Sequence, residues 1–443
     1  MKNTEHIFER LRSGTVPERG LDKFAVGIDK PIGEIRRQLD LASSQEGCFK
    51  FLRGGYGCGK TFMAQYTLLE ALQNNFAVSF VVVSPNDTQF HKFDDVYNKI
   101  VSNLKTSMAE SGALEFMIDR WISKVEDRLA EEIGDNVPDF DEKVKSRFDS
   151  ELDELTREST GIEFINVIKA YFDAKQAGEY TLASSLAAWL SGSKNISASV
   201  KSKAGIKGEI SSSSALIFLR GIVSIVKRSG YKGLVVVIDE LETILRTRSD
   251  VRQKSLNGLR QIIDAAKDFP GMLWVFTGTP EFFDTRKGVA GLEPLHDRIK
   301  FTNTGGFTTT KQPQLELKPF DKNRLMEVAL RLRDIFPTRD RDRLYRLVDE
   351  SFLNRLTDLV SSGLRGDVGV IPRQFLRELV NIFDLIEEND GSDGGKAYIP
   401  MDEYRFPMTD LSAEDQELAH GNESSVSSNT EETDGYNVEQ LEW

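Results

Sequence analysis

Residues 54–61 read Gly54-Gly55-Tyr56-Gly57-Cys58-Gly59-Lys60-Thr61 and meet the pattern G-x-x-x-x-G-K-[ST] at every fixed position. The pattern constrains the fold because it works only as a turn between a strand and a helix. Both flanks suit: Phe49-Lys50-Phe51-Leu52 has the profile of a short buried strand, and from Phe62 to Leu72 apolar residues recur at helical spacing. Glycines let the backbone curve so that successive N–H groups face a nest suited to phosphates. The N-terminus of the helix adds positive potential. In such a loop Lys60 reaches the β- and γ-phosphates of a nucleoside triphosphate such as ATP, and the Thr61 hydroxyl ligates Mg²⁺. Gly54, Gly55, Tyr56, Gly57, Cys58, Gly59, Lys60, Thr61 and Phe62 are thus the candidate nucleotide contacts. Oxidation of Cys58 is a further way to block the loop, if its thiol is exposed and acidic.

A second signal lies far downstream. Leu234-Val235-Val236-Val237-Ile238 is continuous enough for a strand buried on both faces, and it ends in Asp239-Glu240. In a chain with a phosphate loop, Asp239 is the candidate for holding Mg²⁺, mostly through water, and Glu240 the candidate for polarising the attacking water. Leu273 to Thr279 is a further strand ending in hydroxyls. Thr277, with Thr279 as alternative, is placed to position that water; turn capping by threonine is the competing explanation. Upstream of the loop, Val26, Gly27 and Ile28 are candidate adenine contacts, with core packing equally compatible. Pro372 suits the first turn of a helix from Gln374 to Ile386, which sets Arg373 at its start, within reach of a phosphate.

The strands define the organisation. Residues 1–104 hold an N-terminal segment and the first part of an α/β core, with a second strand at Ala77–Ser84 and a helix near Phe93–Leu104. The next strand begins only at Leu234, although a βαβ crossover needs about a dozen residues. Residues 105–215 are therefore read as a helical insertion with pieces at Leu114–Ile133, Asp141–Glu158, Ile162–Ala177 and Leu182–Leu190. It ends in a Ser/Gly/Lys-rich stretch from Ser191 to Gly208, read as a flexible linker or as a mobile loop on DNA phosphates. Residues 216–320 resume the core, with a fifth strand at Leu315–Leu317, and 321–386 form a helical lid. Lid arginines 331, 333, 339, 341, 343 and 346 alternate with Asp334, Asp340 and Asp342, the pattern of a solvated ion-pair surface.

The net charge of −13 is concentrated at one end: residues 387–443 carry 16 acidic and 2 basic residues, leaving a net of +1 on the rest. That stretch is predicted to be a mostly disordered tail. A near-neutral body neither demands nor excludes nucleic acid. Two cysteines make no disulfide framework, which points to a reducing cytoplasmic compartment. No segment is long and apolar enough for a membrane span, and the first residues lack the profile of a signal peptide.

Taken together, the phosphate loop, the Asp-Glu strand end, the Thr-terminated strand and the Pro-Arg lid resemble an AAA+ ATPase of the origin-recognition and helicase-loader branch. That resemblance implies a five-stranded parallel sheet of order 5-1-4-3-2. It places Thr277 at the first sensor, Arg298 at the arginine finger and Arg373 at the second sensor; a surface ion pair of Arg298 with Asp297 or Glu293 is the plainer alternative. A closer resemblance spans most of the chain outside the tail. Leu11-Arg12-Ser13-Gly14-Thr15-Val16-Pro17, Gly55 to Phe62, Gly230 to Glu242 and Leu259-Arg260-Gln261-Ile262-Ile263-Asp264 are similar to the ATP-binding proteins of BREX-type bacterial antiphage systems, the BrxD-like group. It implies a defence role in an assembly with other defence-system proteins acting on double-stranded DNA, and the arginine finger implies a homo-oligomer. The expected activity is Mg²⁺-dependent ATP hydrolysis; the rivals are a nucleotide-gated scaffold with slow turnover and a DNA loader or translocase.

Overall fold

A computed structural model describes residues 4–84, 88–157, 161–363, 371–392 and 394–400. Five parallel strands, β1 (Cys48–Arg53), β2 (Ala77–Val82), β3 (Leu234–Asp239), β4 (Met272–Gly278) and β5 (Gln314–Glu316), form one sheet in the order β5-β1-β4-β3-β2. This is the expected order. β3 and β4 are buried along their whole length. Their side chains alternate between two separate cores. Leu234, Val236, Ile238, Met272, Trp274 and Phe276 face one, and Val235, Val237, Leu273 and Val275 face the other. A strand buried on both faces has period 2 in where its side chains go while remaining apolar throughout.

Each core has its own helical cover. Around the first gather α4 (Phe93–Ser102), the insertion helices α5 (Ala113–Ile133), α6 (Phe140–Arg157), α7 (Ile162–Gln176), α8 (Tyr180–Leu190) and α9 (Ala198–Lys203), then α10 (Ala215–Arg228) and α11 (Ser249–Ala265). The insertion thus shares a continuous core with the sheet. Glu151 of α6 fixes the seam: buried, it accepts from Trp121 and Arg128 of α5 and lies 3.8 Å from Arg228 of α10. Short helices α12 (Pro280–Asp284) and α13 (Glu293–Ile299) close this side after β4.

The second core is covered by α1 (Glu5–Arg12), α2 (Asp29–Ser43), α3 (Lys60–Gln73) and the lid, α14 (Lys322–Ile335), α15 (Arg341–Leu347), α16 (Glu350–Gly363) and α17 (Ile371–Glu388). Of these, α1 packs on the lid: Phe8 meets Phe336 edge-on at 5.0 Å, and Arg12 forms a two-pronged pair with Asp384 at 2.7 Å. Arg331 donates to the Ala25 carbonyl, drawing the segment before α2 into the same body.

Several expectations change. The lysine-bearing stretch is not a bare linker: Ala198–Lys203 is helical, Ala204 and Ile206 are buried, Lys194 pairs with Asp94 and Lys203 with Glu179. Between α14 and α17 the lid holds two helices, divided where the Asp349 carboxylate caps the start of α16 by accepting the Phe352 N–H. Not all the lid arginines make a solvated ion-pair surface. Arg341 donates to carbonyls of Arg333, Asp334 and Phe336 at the end of α14, and Arg343 to those of Ile386 in the last turn of α17 and of Asn389 and Tyr398 beyond it. All but the Tyr398 carbonyl lie at helix ends, where carbonyls lack intrahelical partners. Residues 387–400, expected in the tail, accordingly begin inside α17 and return Tyr398 to the lid. The rest of that tail, 401–443, lies outside the described residues.

Lys50 lies mid-strand in β1 and is buried, 2.7 Å from the equally buried Glu34 of α2. Its ammonium also donates to the Gln312 carbonyl at 2.7 Å, and Arg37 and Gln38 complete the shell of Glu34. Burial alone would push the Glu34 carboxyl up; hydrogen bonds from Arg37, Lys50 and Gln38 outweigh it and hold the group at about 2. A carboxylate depressed in the fold contributes stability above its unfolded value, roughly 4.3, which is lost as pH falls from there through about 2. Lys50→Met should strip Glu34 of its buried counter-ion while leaving Arg37 and Gln38, and cost roughly 1–3 kcal/mol. Thermal unfolding at pH 7 checks this, and the deficit should shrink as pH is lowered towards 3.

Candidate nucleotide site

The candidate residues come together at the carboxyl ends of β1, β3 and β4. In an open parallel sheet this edge collects the loops, and β1–β4–β3 adjacency brings residues nearly two hundred positions apart into contact. The loop after β1 turns into α3 at Gly59, whose φ of 79° lies in the left-handed region where a side chain would be strained. A Cβ on Gly54 would approach the Leu317 carbonyl to 3.2 Å, so the loop is pressed against the strand leading into the lid. Cys58 is 6% exposed, and burial pushes its thiol up despite the opposing field of Lys60. It is a packed, protonated thiol, which removes the expectation of a reactive one.

Asp239 is the hub. Its Oδ2 accepts from the Thr61 hydroxyl at 3.0 Å, while its Oδ1 accepts from the Thr277 hydroxyl and, at 3.1 Å, from the Glu240 N–H. The same Glu240 N–H lies 3.0 Å from Thr277 Oγ1. Asp239 is 2% exposed and Thr277 fully buried, and among the described residues this carboxylate is held by hydroxyls and an amide. Glu240 leaves the strand at φ 62°, ψ 45°, a left-handed conformation uncommon outside glycine and asparagine. That turn sends its side chain to the exposed edge while its N–H stays on the hub.

Lys60 is enclosed. Its ammonium donates to the Gly54 and Gly55 carbonyls at 3.1 Å each, lies 3.6 Å from Glu242 and 5.2 Å from the centre of the Tyr56 ring. Burial and the Glu242 charge push the Tyr56 phenol up, against a hydrogen bond with Arg246. Glu242 was not anticipated. Its sequence signal is an acid two residues beyond the Asp-Glu pair, on the short turn Leu241–Arg246 that follows β3.

On the other wall, Phe24 packs edge-on against Phe62 at 5.5 Å and Val26 is buried. Gly27 adopts φ 68°, and a Cβ there would come within 3.0 Å of Arg324 Nε on α14. Arg324, like Phe320 beside Gly59, is a neighbour of the candidate residues that the sequence pattern did not single out. Two predicted residues stand apart. Arg298 is paired with Asp264 of α11 and donates to the Pro294 carbonyl of its own helix, not to Asp297 or Glu293. Arg373 is exposed, with its aliphatic stem over Gly14.

No curated protein matches the sequence. A protein family does, the BREX system ATP-binding proteins BrxC/D, over residues 1–400 of the 443. The family's ATP-binding description fits a chain in which a glycine-rich loop, a buried lysine and a strand-end carboxylate converge. By that match, the chain belongs to the BrxC/D family of BREX system ATP-binding proteins.

Proposed function

We propose that the chain is an AAA+-type, Mg²⁺-dependent ATPase that couples ATP turnover to a cytoplasmic BREX defence assembly acting on DNA. The observation that carries this reading is the convergence of Thr61, Thr277 and the Glu240 amide on the single carboxylate of Asp239, next to Lys60. Hard oxygen donors from Thr61 and Asp239 suit Mg²⁺, which prefers such ligands and retains several waters. When bound, Mg²⁺ would neutralise charge on the phosphates. The amides of Gly54 to Phe62 and the Lys60 ammonium would hold those phosphates, and Val26 and Gly27 would border the adenine. Glu240, aimed to the exposed edge by its left-handed backbone, would polarise the attacking water. Thr277 would act chiefly by orienting Asp239 and the Glu240 backbone, to which its hydroxyl is already bonded.

The finger and sensor roles need motion. Arg298 would have to leave Asp264 to serve a neighbouring subunit, and Arg373 to swing from Gly14 to the γ-phosphate as the lid closes. The engagement of Arg298 within its own chain favours a second reading, a nucleotide-gated scaffold with slow hydrolysis that recruits other defence-system proteins. For a DNA loader or translocase of the origin-recognition type, support is weaker, since Lys194 and Lys203 of the suspected DNA loop are engaged in ion pairs.

Steady-state hydrolysis by purified protein over a range of concentrations, with and without double-stranded DNA, tests the reading. Glu240→Gln should retain ATP binding and lose about 10²–10⁴-fold in rate, as expected for a lost general base; a wild-type rate would remove Glu240 from that role. Arg298→Ala should abolish any rise of rate per subunit with concentration, and an arginine finger is worth roughly 10³–10⁵-fold. A rate per subunit that is flat with concentration and unaffected by Arg298→Ala would favour the scaffold.

A further inference from the structure

Glu242 has no part in the chemistry assigned to its neighbours. It is 8% exposed and sits on the turn Leu241–Arg246, with Oε1 3.6 Å from Lys60 Nζ. Its Oε2 is buried and has no hydrogen-bond partner among the described residues. Lys60 is 8% exposed, and its three N–H donors are surrounded by acceptors of the protein itself: the Gly54 and Gly55 carbonyls, this carboxylate and the Tyr56 ring face. A buried carboxylate with one oxygen unsatisfied is a poor structural device, because the desolvation of that oxygen is uncompensated and an apolar side chain would fill the space at lower cost.

We infer that Glu242 is an affinity-setting residue, a resident anion that occupies Lys60 and must be displaced by the phosphates of the incoming nucleotide. The inference rests on the nucleotide reading of the site. Two anions compete for one ammonium. A triphosphate prevails because it also draws on the loop amides and the α3 N-terminus, which a side-chain carboxylate on another turn does not reach. Its net affinity is the loop's intrinsic affinity less the cost of separating Lys60 from Glu242. The carboxylate therefore lowers affinity by the same factor for every phosphate ligand that must take Lys60 from it.

Isothermal titration of the full chain with ATP in excess Mg²⁺ tests this on wild type, Lys60→Ala and Glu242→Gln. Removing the competing charge should tighten ATP binding roughly tenfold, equivalent to ~1.4 kcal/mol. Unchanged or weaker binding by a folded Glu242→Gln protein overturns the inference, since a merely structural glutamate gives one of those results. Should that variant fail to fold, Glu242→Asp, which withdraws the carboxylate by one carbon, is judged by the same criterion. Wild-type binding that is lost in Lys60→Ala, together with no tightening in the glutamate variants, defeats the inference alone. Wild-type protein that binds no ATP defeats both it and the nucleotide reading.

Discussion

The sheet has no face to spare for water. β3 and β4 are apolar on both sides, so neither core can form without a helical layer over it. At about 25 cal/mol per Å² of apolar surface removed from water, burying such strands supplies much of the drive to fold, and exposing either face would forfeit it. This makes the insertion helices structural, whatever else they do. Trp121, Phe148, Phe164 and Trp189 share one continuous core with Trp274 and Phe276 of β4. The lid and α1 stand in the same relation to the opposite face.

Against that apolar background, three groups of buried charges beside β1 and β3 are handled differently. Glu34 and Lys50 neutralise one another beneath β1 with their remaining bonding capacity directed to Arg37, Gln38 and a backbone carbonyl. Asp239 is held by hydroxyls and an amide. Lys60 and Glu242 form a looser pair, 3.6 Å apart, with one carboxylate oxygen left over. The first is a closed arrangement. The other two retain unused capacity, and both lie where the strand ends meet the loop. Incomplete satisfaction at that place is consistent with groups arranged for a ligand more than for the fold alone.

Much of this was legible in the sequence because it rests on local rules. The strand–loop–helix around Gly54–Thr61, the doubly buried β3 ending in Asp239, and the insertion helices follow from short-range periodicity and turn chemistry. The strand order came from resemblance, since no periodicity fixes which strands are neighbours. What escaped depends on partners distant in the chain. Nothing near Lys50 announces Glu34 as its counter-ion, and Arg298 chose Asp264 on a packed neighbouring helix over acids beside it in sequence. The alternation of Arg and Asp in the lid suggested ion pairs, yet Arg341 and Arg343 were committed to helix-end carbonyls, which carry no side-chain signature.

The docking of α1 on the lid has a mechanical meaning. Arg12 grips Asp384, Phe8 nests on Phe336, Arg331 holds the Ala25 carbonyl, and Arg324 lies over Gly27. The stretch from α1 to Gly27 is therefore fastened to the helical lid at several points as well as to α3 through Phe24 and Phe62. The lid also joins the sheet directly, through the short connection from β5 to α14, so a lid moving about that connection would pull on these fastenings and carry the Phe24–Gly27 wall with it. Among the described residues, displacement of the lid and loosening of that wall are thus mechanically linked.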